Sequence, residues 1–156
     1  MGYTHYFEYK ENVLQIPERL VEDVKVIIEK HINILDENYT IDSGVLVLNG
    51  NPGHETLYIE PNVDGFCKTN YALYDVAVCE ILLAFKHHFK ESFELESDGF
   101  FVQDDLFAQK EDLMTDKLLD GNWNDALKNV KKQFGYEFDL IPTIDSGYCL
   151  YQIKVK

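Results

Sequence analysis

Polar and apolar positions follow two periods along the chain. From Gly2 to Lys10, Tyr3, His5, Phe7 and Tyr9 fall on one side, and Thr4, Tyr6, Glu8 and Lys10 on the other. A period of two predicts a strand. Its core face is the side with Tyr3, Phe7 and Tyr9, which turns His5 inward. Pro17 suits the first turn of a helix. Beyond it Leu20, Val24, Ile27, Ile28, His31 and Leu35 recur at helical spacing, predicting an amphipathic helix from Pro17 to about Asp36. His31 within that stripe reads as a satisfied core or boundary histidine. Val45 to Leu48 and Leu57 to Ile59 are short apolar runs around an Asn-Gly and Pro-Gly loop, as in a hairpin. Phe66 to Asn70 leads into a central helix, roughly Tyr71 to Phe89, with Thr69 or Asn70 as its cap. Its apolar positions run nearly all round, so it is expected to be buried on several sides.

Phe93 to Gln103 reads as two strands joined at Ser97-Asp98-Gly99, a hairpin signal. Asp104 or Asp105 would cap a third helix through Leu106, Leu113, Met114 and Leu118, broken at Gly121. Asn122 would cap another, with Trp123, Ala126, Leu127, Val130 and Phe134 on one face and Gly135 at its end. Tyr148 to Val155 is a final alternating strand. The Thr-Ile-Asp-Ser-Gly of Thr40 to Gly44 recurs at Thr143 to Gly147, reading as one turn chemistry used twice. The expected fold is α+β: an antiparallel or mixed sheet of hairpins with three to four helices packed mainly on one face. The 156 residues are expected to form a single globular domain.

Charge narrows the partners. A formal net charge of −14, from 28 acidic against 14 basic residues, repels nucleic-acid backbones and anionic membrane surfaces. Three widely spaced cysteines without a CxxC suggest reduced thiols. No secretory leader is visible. The longest apolar run, Val76 to Phe85, is interrupted by Glu80 and is short of a membrane span. A cytoplasmic protein is expected.

Candidate chemistry concentrates between Phe66 and Gly99, in Cys67, Lys68, Thr69, Asp75, His87, Ser97 and Asp98. Cys67-Lys68-Thr69 reads as the start of the central helix. Free N–H groups and a partial positive charge there, with the Lys68 ammonium, suit a phosphate or carboxylate. The same setting would lower the pKa of Cys67 and make it a nucleophile, with His5 or His87 as base. The plainer reading is Thr69 as a cap, Lys68 as a solvated charge and Cys67 as a small buried residue. Asp75 is the first acid of an apolar helix and shares a face with Cys79, Leu82 and Lys86. If buried, it needs a partner. Asp98 reads mainly as turn chemistry, with a ligand role as the lesser reading. His87 and His88 point about 100° apart. No cysteine or histidine pair has zinc-ligand spacing, and nucleotide and acyl-transfer signatures are absent, so neither a metal nor a cofactor is expected. From Glu91 to Asp125 eleven acids face two lysines, and Asp112, Asp116 and Asp120 recur every four residues. That acidic face is either solvated or an imitation of a DNA backbone.

Gly2 to Phe7 (GYTHYF), Phe66 to Thr69 (FCKT), Tyr74-Asp75, Lys86 to His88 (KHH) and Ser97 to Gly99 (SDG) resemble, in this order, an uncharacterised family of small bacterial and phage proteins. That family opens with Gly-Tyr-Thr-His-Tyr. It usually carries Trp where this chain has Phe7 and Pro where it has Leu73. The resemblance implies that His5, Cys67, Lys68, Thr69, Asp75, His87 and Asp98 are the functional positions. A phage setting implies a counter-measure to host defence. The leading expectation is a protein that binds an anionic small molecule through His5, Cys67, Lys68, Thr69, Asp75 and Asp98. The alternatives are a Cys/His-dependent hydrolase or transferase, with Cys67, His5 or His87 as catalytic candidates, and an acidic interaction protein or DNA mimic. The sequence leaves the oligomeric state open.

Overall fold

The structure is a computed structural model and describes residues 2–103, 119–145 and 148–156. Among them are three α-helices and three small antiparallel sheets, an α+β fold. The first sheet has β1 (Thr4–Tyr9) in its centre, flanked by β5 (Gly65–Lys68) and β6 (Phe93–Ser97). The second is β2 (Thr40–Ile41), β3 (Leu46–Leu48) and β4 (Leu57–Ile59) in sequence order. The third places β9 (Tyr148–Val155) between β7 (Phe101–Gln103) and β8 (Phe138–Asp145). No helix among the described residues is long and apolar enough to cross a membrane.

The helices form a layer on the first sheet. Helix α2 (Asp75–Phe89) is buried almost all round and lies against the β1 face that carries His5, Phe7 and Tyr9. Helices α1 (Glu18–Lys30) and α3 (Trp123–Phe134) flank it. Helix α1 starts after Pro17, buries Leu20, Val24, Ile27 and Ile28, and stops at His31, the boundary histidine of the sequence pattern. Helix α3 ends as its sequence demands, at Gly135 in the left-handed region (φ 78°).

Glu80, in the middle of α2, ties the layer together. Its buried carboxylate accepts bonds from Lys30 Nζ (2.6 Å), His31 Nε2 (2.9 Å) and Asn129 Nδ2 (3.0 Å), thus from α1, its cap and α3. Burial alone would raise the Glu80 pKa, but these three donors hold it below the ordinary value.

Three expectations need correction. Helix α2 begins at Asp75, not near Tyr71, and neither Thr69 nor Asn70 caps it. Asn70 and Tyr71 instead adopt positive φ (52° and 62°), which turns the chain from β5 before a helix can start. Ser97-Asp98-Gly99 is not a hairpin turn. The Ser97 hydroxyl accepts the Gly99 N–H, closing a 3-10 turn that hands the chain from β6 in the first sheet to β7 in the third. Finally, β8 was missed, and with it the long β8–β9 pairing. Lys156 N–H donates to Glu137 O, so that pair is hydrogen-bonded, and hydrogen bonds recur at every second pair along the ladder. Pro142, opposite Tyr151, falls on an alternate position with its nitrogen facing away from β9, on the side where no strand pairs with β8 among the described residues. The helix expected after Asp104, and most of the acidic face, lies outside the described residues.

Candidate functional site

Strand register assembles the first cluster. On β1, His5 pairs with Cys67 of β5 on one side and Ser97 of β6 on the other. Directly opposite residues share a sheet face, so all three side chains point toward α2. There Asp75 and Cys79, one helical turn apart, meet them. His5, Cys67, Thr69, Asp75 and Cys79 are fully buried.

Hydrogen-bond counting assigns the protons. Ser97 Oγ accepts from Gly99 N (3.0 Å) and Trp123 Nε1 (2.9 Å), which fills both lone pairs. Its own proton therefore goes to His5 Nδ1, 2.7 Å away. The ring hydrogen is then on Nε2, which donates to Asp75 Oδ1 at 2.7 Å. Asp75 Oδ1 also accepts from the Thr69 hydroxyl, and Oδ2 from Asn122 Nδ2 (2.9 Å) and the Cys79 thiol (3.7 Å). Burial would raise the Asp75 pKa, but His5, Thr69 and Asn122 overcome it and hold the pKa below the usual carboxylate value.

Donor atoms of His5, Asp75 and Cys79 lie within 4.8 Å of one another, close enough to hold a metal ion. The sequence spacing did not anticipate this trio. The tautomer opposes metal binding, because Nε2 presents a hydrogen and not a lone pair to the other two donors. A shift to Nδ1–H would force three N–H donors onto Ser97 Oγ.

The expected anion site at the start of the central helix does not form. Lys68 pairs with Thr4 and points to the opposite face of the sheet from His5, with its stem across Gly2. Cys67 faces inward, but its thiol lies against the Glu55 carbonyl (3.6 Å) and no imidazole is among its hydrogen-bond partners. It is not at a helix start, and burial pushes its pKa up to about 12. Native protein at pH 8 should therefore leave Cys67 unmodified by iodoacetamide over the time that alkylates it fully in urea, as read by peptide mass. Asp98 is exposed and anchors β1 by accepting Thr4 N–H (3.0 Å).

His87 and His88 belong to a second place, a cleft of about 490 Å³ where the end of α2 meets the start of α1 and the segment after α3. Arg19, Glu22, Asp23, Lys90, Phe134 and Tyr136 complete its lining. Asp23 is already committed, accepting from His88 Nε2 (2.8 Å) and from the Tyr136 hydroxyl. The His87 ring stacks on Tyr136 (3.9 Å between centroids, 16° between planes). Its Nδ1 is buried with no hydrogen-bond partner among the described residues. Burial, then the neighbouring His88, lowers the His87 pKa, so the ring is neutral at pH 7. Arg19 and Lys90 make no ion pair among the described residues. Lys90 has the strained backbone of a positive φ (54°).

Sequence reasoning thus placed His5, Thr69 and Asp75 together; it counted Ser97 among the candidate chemistry and put Cys79 on the face of Asp75 without joining either to His5, and it missed Asn122 and Trp123 as partners. It also missed Arg19 as a companion of His87. No family model, no curated protein and no solved structure matches the chain.

Proposed function

We propose that the protein binds a small molecule carrying a phosphate or carboxylate group in the cleft between Arg19, His87 and Lys90. One observation carries this reading. Two cations without an ion-pair partner among the described residues line one cleft together with His87, in a molecule with a net charge of −14. Elsewhere that charge repels anions; here Arg19 and Lys90 offset Glu22 and Asp23, and with Asp23 committed to His88 and Tyr136 the cleft offers those two cations to a ligand. Arg19 offers a planar two-pronged donor and Lys90 a point charge. The leading N–H groups of α1, which lack helical partners, favour the same sign of ligand. Neutral His87 adds one directional hydrogen bond.

Isothermal titration with inorganic phosphate, pyrophosphate, adenosine monophosphate and citrate tests it. At least one should bind, more weakly as salt rises. Replacing Arg19 with Ala should weaken that ligand by about tenfold or more, the loss of one charge-assisted contact. Binding by none of the four, or binding indifferent to Arg19→Ala and Lys90→Ala, would refute the assignment.

A further inference from the structure

The buried histidine network has a direction that a structural pin does not require. The hydroxyl of Ser97 gives its proton to one nitrogen of His5, and the other nitrogen gives its own to the Asp75 carboxylate. That is the order of groups by which a serine is activated for attack on an acyl carbon, with the two ring nitrogens exchanged relative to the usual arrangement. Two N–H donors, Gly99 N and Trp123 Nε1, already converge on Ser97 Oγ.

The cover over this network is strained. Thr69 and Asn70 N–H both donate to Tyr3 O, and Asn70 and Tyr71 then take two successive left-handed conformations. Tyrosine rarely adopts that region, and such strain persists where the surrounding structure enforces it, often at functional sites. The Tyr71 ring, 56% exposed, stacks on Tyr3 at 3.9 Å, and its hydroxyl reaches Asp120 at 3.2 Å. Tyr3 in turn stands edge-on to His5 at 5.0 Å. Thr69 and Tyr74, at the two ends of this segment, are fully buried, and their hydroxyls are bonded to Asp75 and to the Glu55 carbonyl. The Tyr71 ring between them is held by that one stack and that one exposed hydrogen bond.

We propose that Ser97 is a latent acyl-transfer nucleophile for small esters, activated through His5 and Asp75 and covered by the stacked rings of Tyr3 and Tyr71. When the Tyr71 ring swings out and frees the Tyr3 ring to move, Ser97 Oγ attacks the ester carbonyl carbon as its proton passes to His5 Nδ1. The imidazolium is held by the Asp75 carboxylate. The N–H groups of Gly99 and Trp123, released as Oγ forms its new bond, turn to the oxyanion. Collapse breaks the bond to the alkoxide, which leaves with the proton from Nδ1. Water then attacks the acyl-serine, giving a proton to Nδ1. The second collapse returns that proton to Oγ and frees the acid, so ester and water become acid and alcohol.

A fluorophosphonate reagent tests this on the full chain, with intact mass and peptide mapping as readout. Wild-type protein should gain one adduct, on Ser97, and Ser97→Ala none. Tyr71→Ala, which removes the stacked ring, should label about tenfold faster. If Tyr71→Ala does not fold, Tyr71→Phe, which loses only the hydroxyl bond to Asp120, should also label faster than wild type. Absence of a Ser97 adduct from the wild type and from whichever Tyr71 variant folds, both with native circular dichroism, overturns the proposal. So does labelling confined to another residue.

Discussion

Replacing Asp75 with Ala should cost about 3–5 kcal/mol, the loss expected when one partner of a buried hydrogen-bonded charge is removed. The deletion orphans four donors at once: His5 Nε2–H, the Thr69 hydroxyl, the Asn122 amide and the Cys79 thiol. Each buried donor without an acceptor carries its own desolvation cost. Out of a typical margin of about 5–15 kcal/mol, such a loss leaves a protein partly unfolded at 37 °C. Urea unfolding followed by the single tryptophan, Trp123, reads it directly, because that ring is buried against His5 (4.9 Å between centroids). The same carboxylate sets an acid limit. Its folded pKa lies below the ordinary 3.8, so its contribution is present above pH 4 and is lost as pH falls through the folded value. Glu80, also lowered, adds to that loss from its ordinary 4.5 downward. A flat or rising urea midpoint between pH 5 and pH 3, or an Asp75→Ala cost under about 1 kcal/mol, would contradict the assigned hydrogen bonds.

The second large effect is expected at Gly121. Its φ of 65° is left-handed, and an added Cβ would stand 2.3 Å from the Tyr3 hydroxyl and 2.8 Å from its ring carbon. Alanine there bears the backbone penalty of about 1–2 kcal/mol together with an overpacking cost of about 1–3 kcal/mol. The Tyr3 ring has little room to retreat. It is buried, with His5 edge-on to it, Tyr71 on its face, and Gly99 beside its hydroxyl, where a Cβ would lie 2.4 Å away. Gly121→Ala should lower the melting temperature by about 5–15 °C at this chain length. The control is Gly135→Ala, where φ is 78° but nothing lies within 4 Å of the added carbon. It bears only the backbone penalty. Equal losses at both glycines would show that contact with Tyr3 contributes nothing.

Much of the fold could be read from periodicity, and the reasons for the failures are physical. The alternation of Tyr3, His5, Phe7 and Tyr9 put His5 on the inner face, and burial confirms it. The i, i+4 spacing of Asp75 and Cys79 put both on one face of the helix, but spacing alone did not point that face at His5, which both meet. The start of α2 was misplaced because apolar periodicity reaches back through Leu73, whereas two left-handed residues decide where the helix begins. Ser97 was absorbed into a hairpin because turn composition cannot tell a strand reversal from a passage between sheets. Asn122 takes the N-cap position read for it, but its side chain makes no capping bond and its amide reaches Asp75. Glu80 was legible and went unread. An acid within a helix buried all round needs partners as surely as Asp75 does, and Lys30, His31 and Asn129 supply them. The cleft could not be read, since Arg19, His87 and Lys90 become neighbours only when α1 packs antiparallel to α2.

The margin formed by β8 also matters for how copies of this chain meet one another. A strand eight residues long, with no strand on its outer side among the described residues, is a template on which further chains can stack into fibrils. Pro142 interrupts that template midway, because its nitrogen faces outward and has no hydrogen to donate. An incoming chain would find two short stretches where it needs a continuous one. The proline is thus a built-in brake on fibril elongation, in a place where it costs the native ladder nothing.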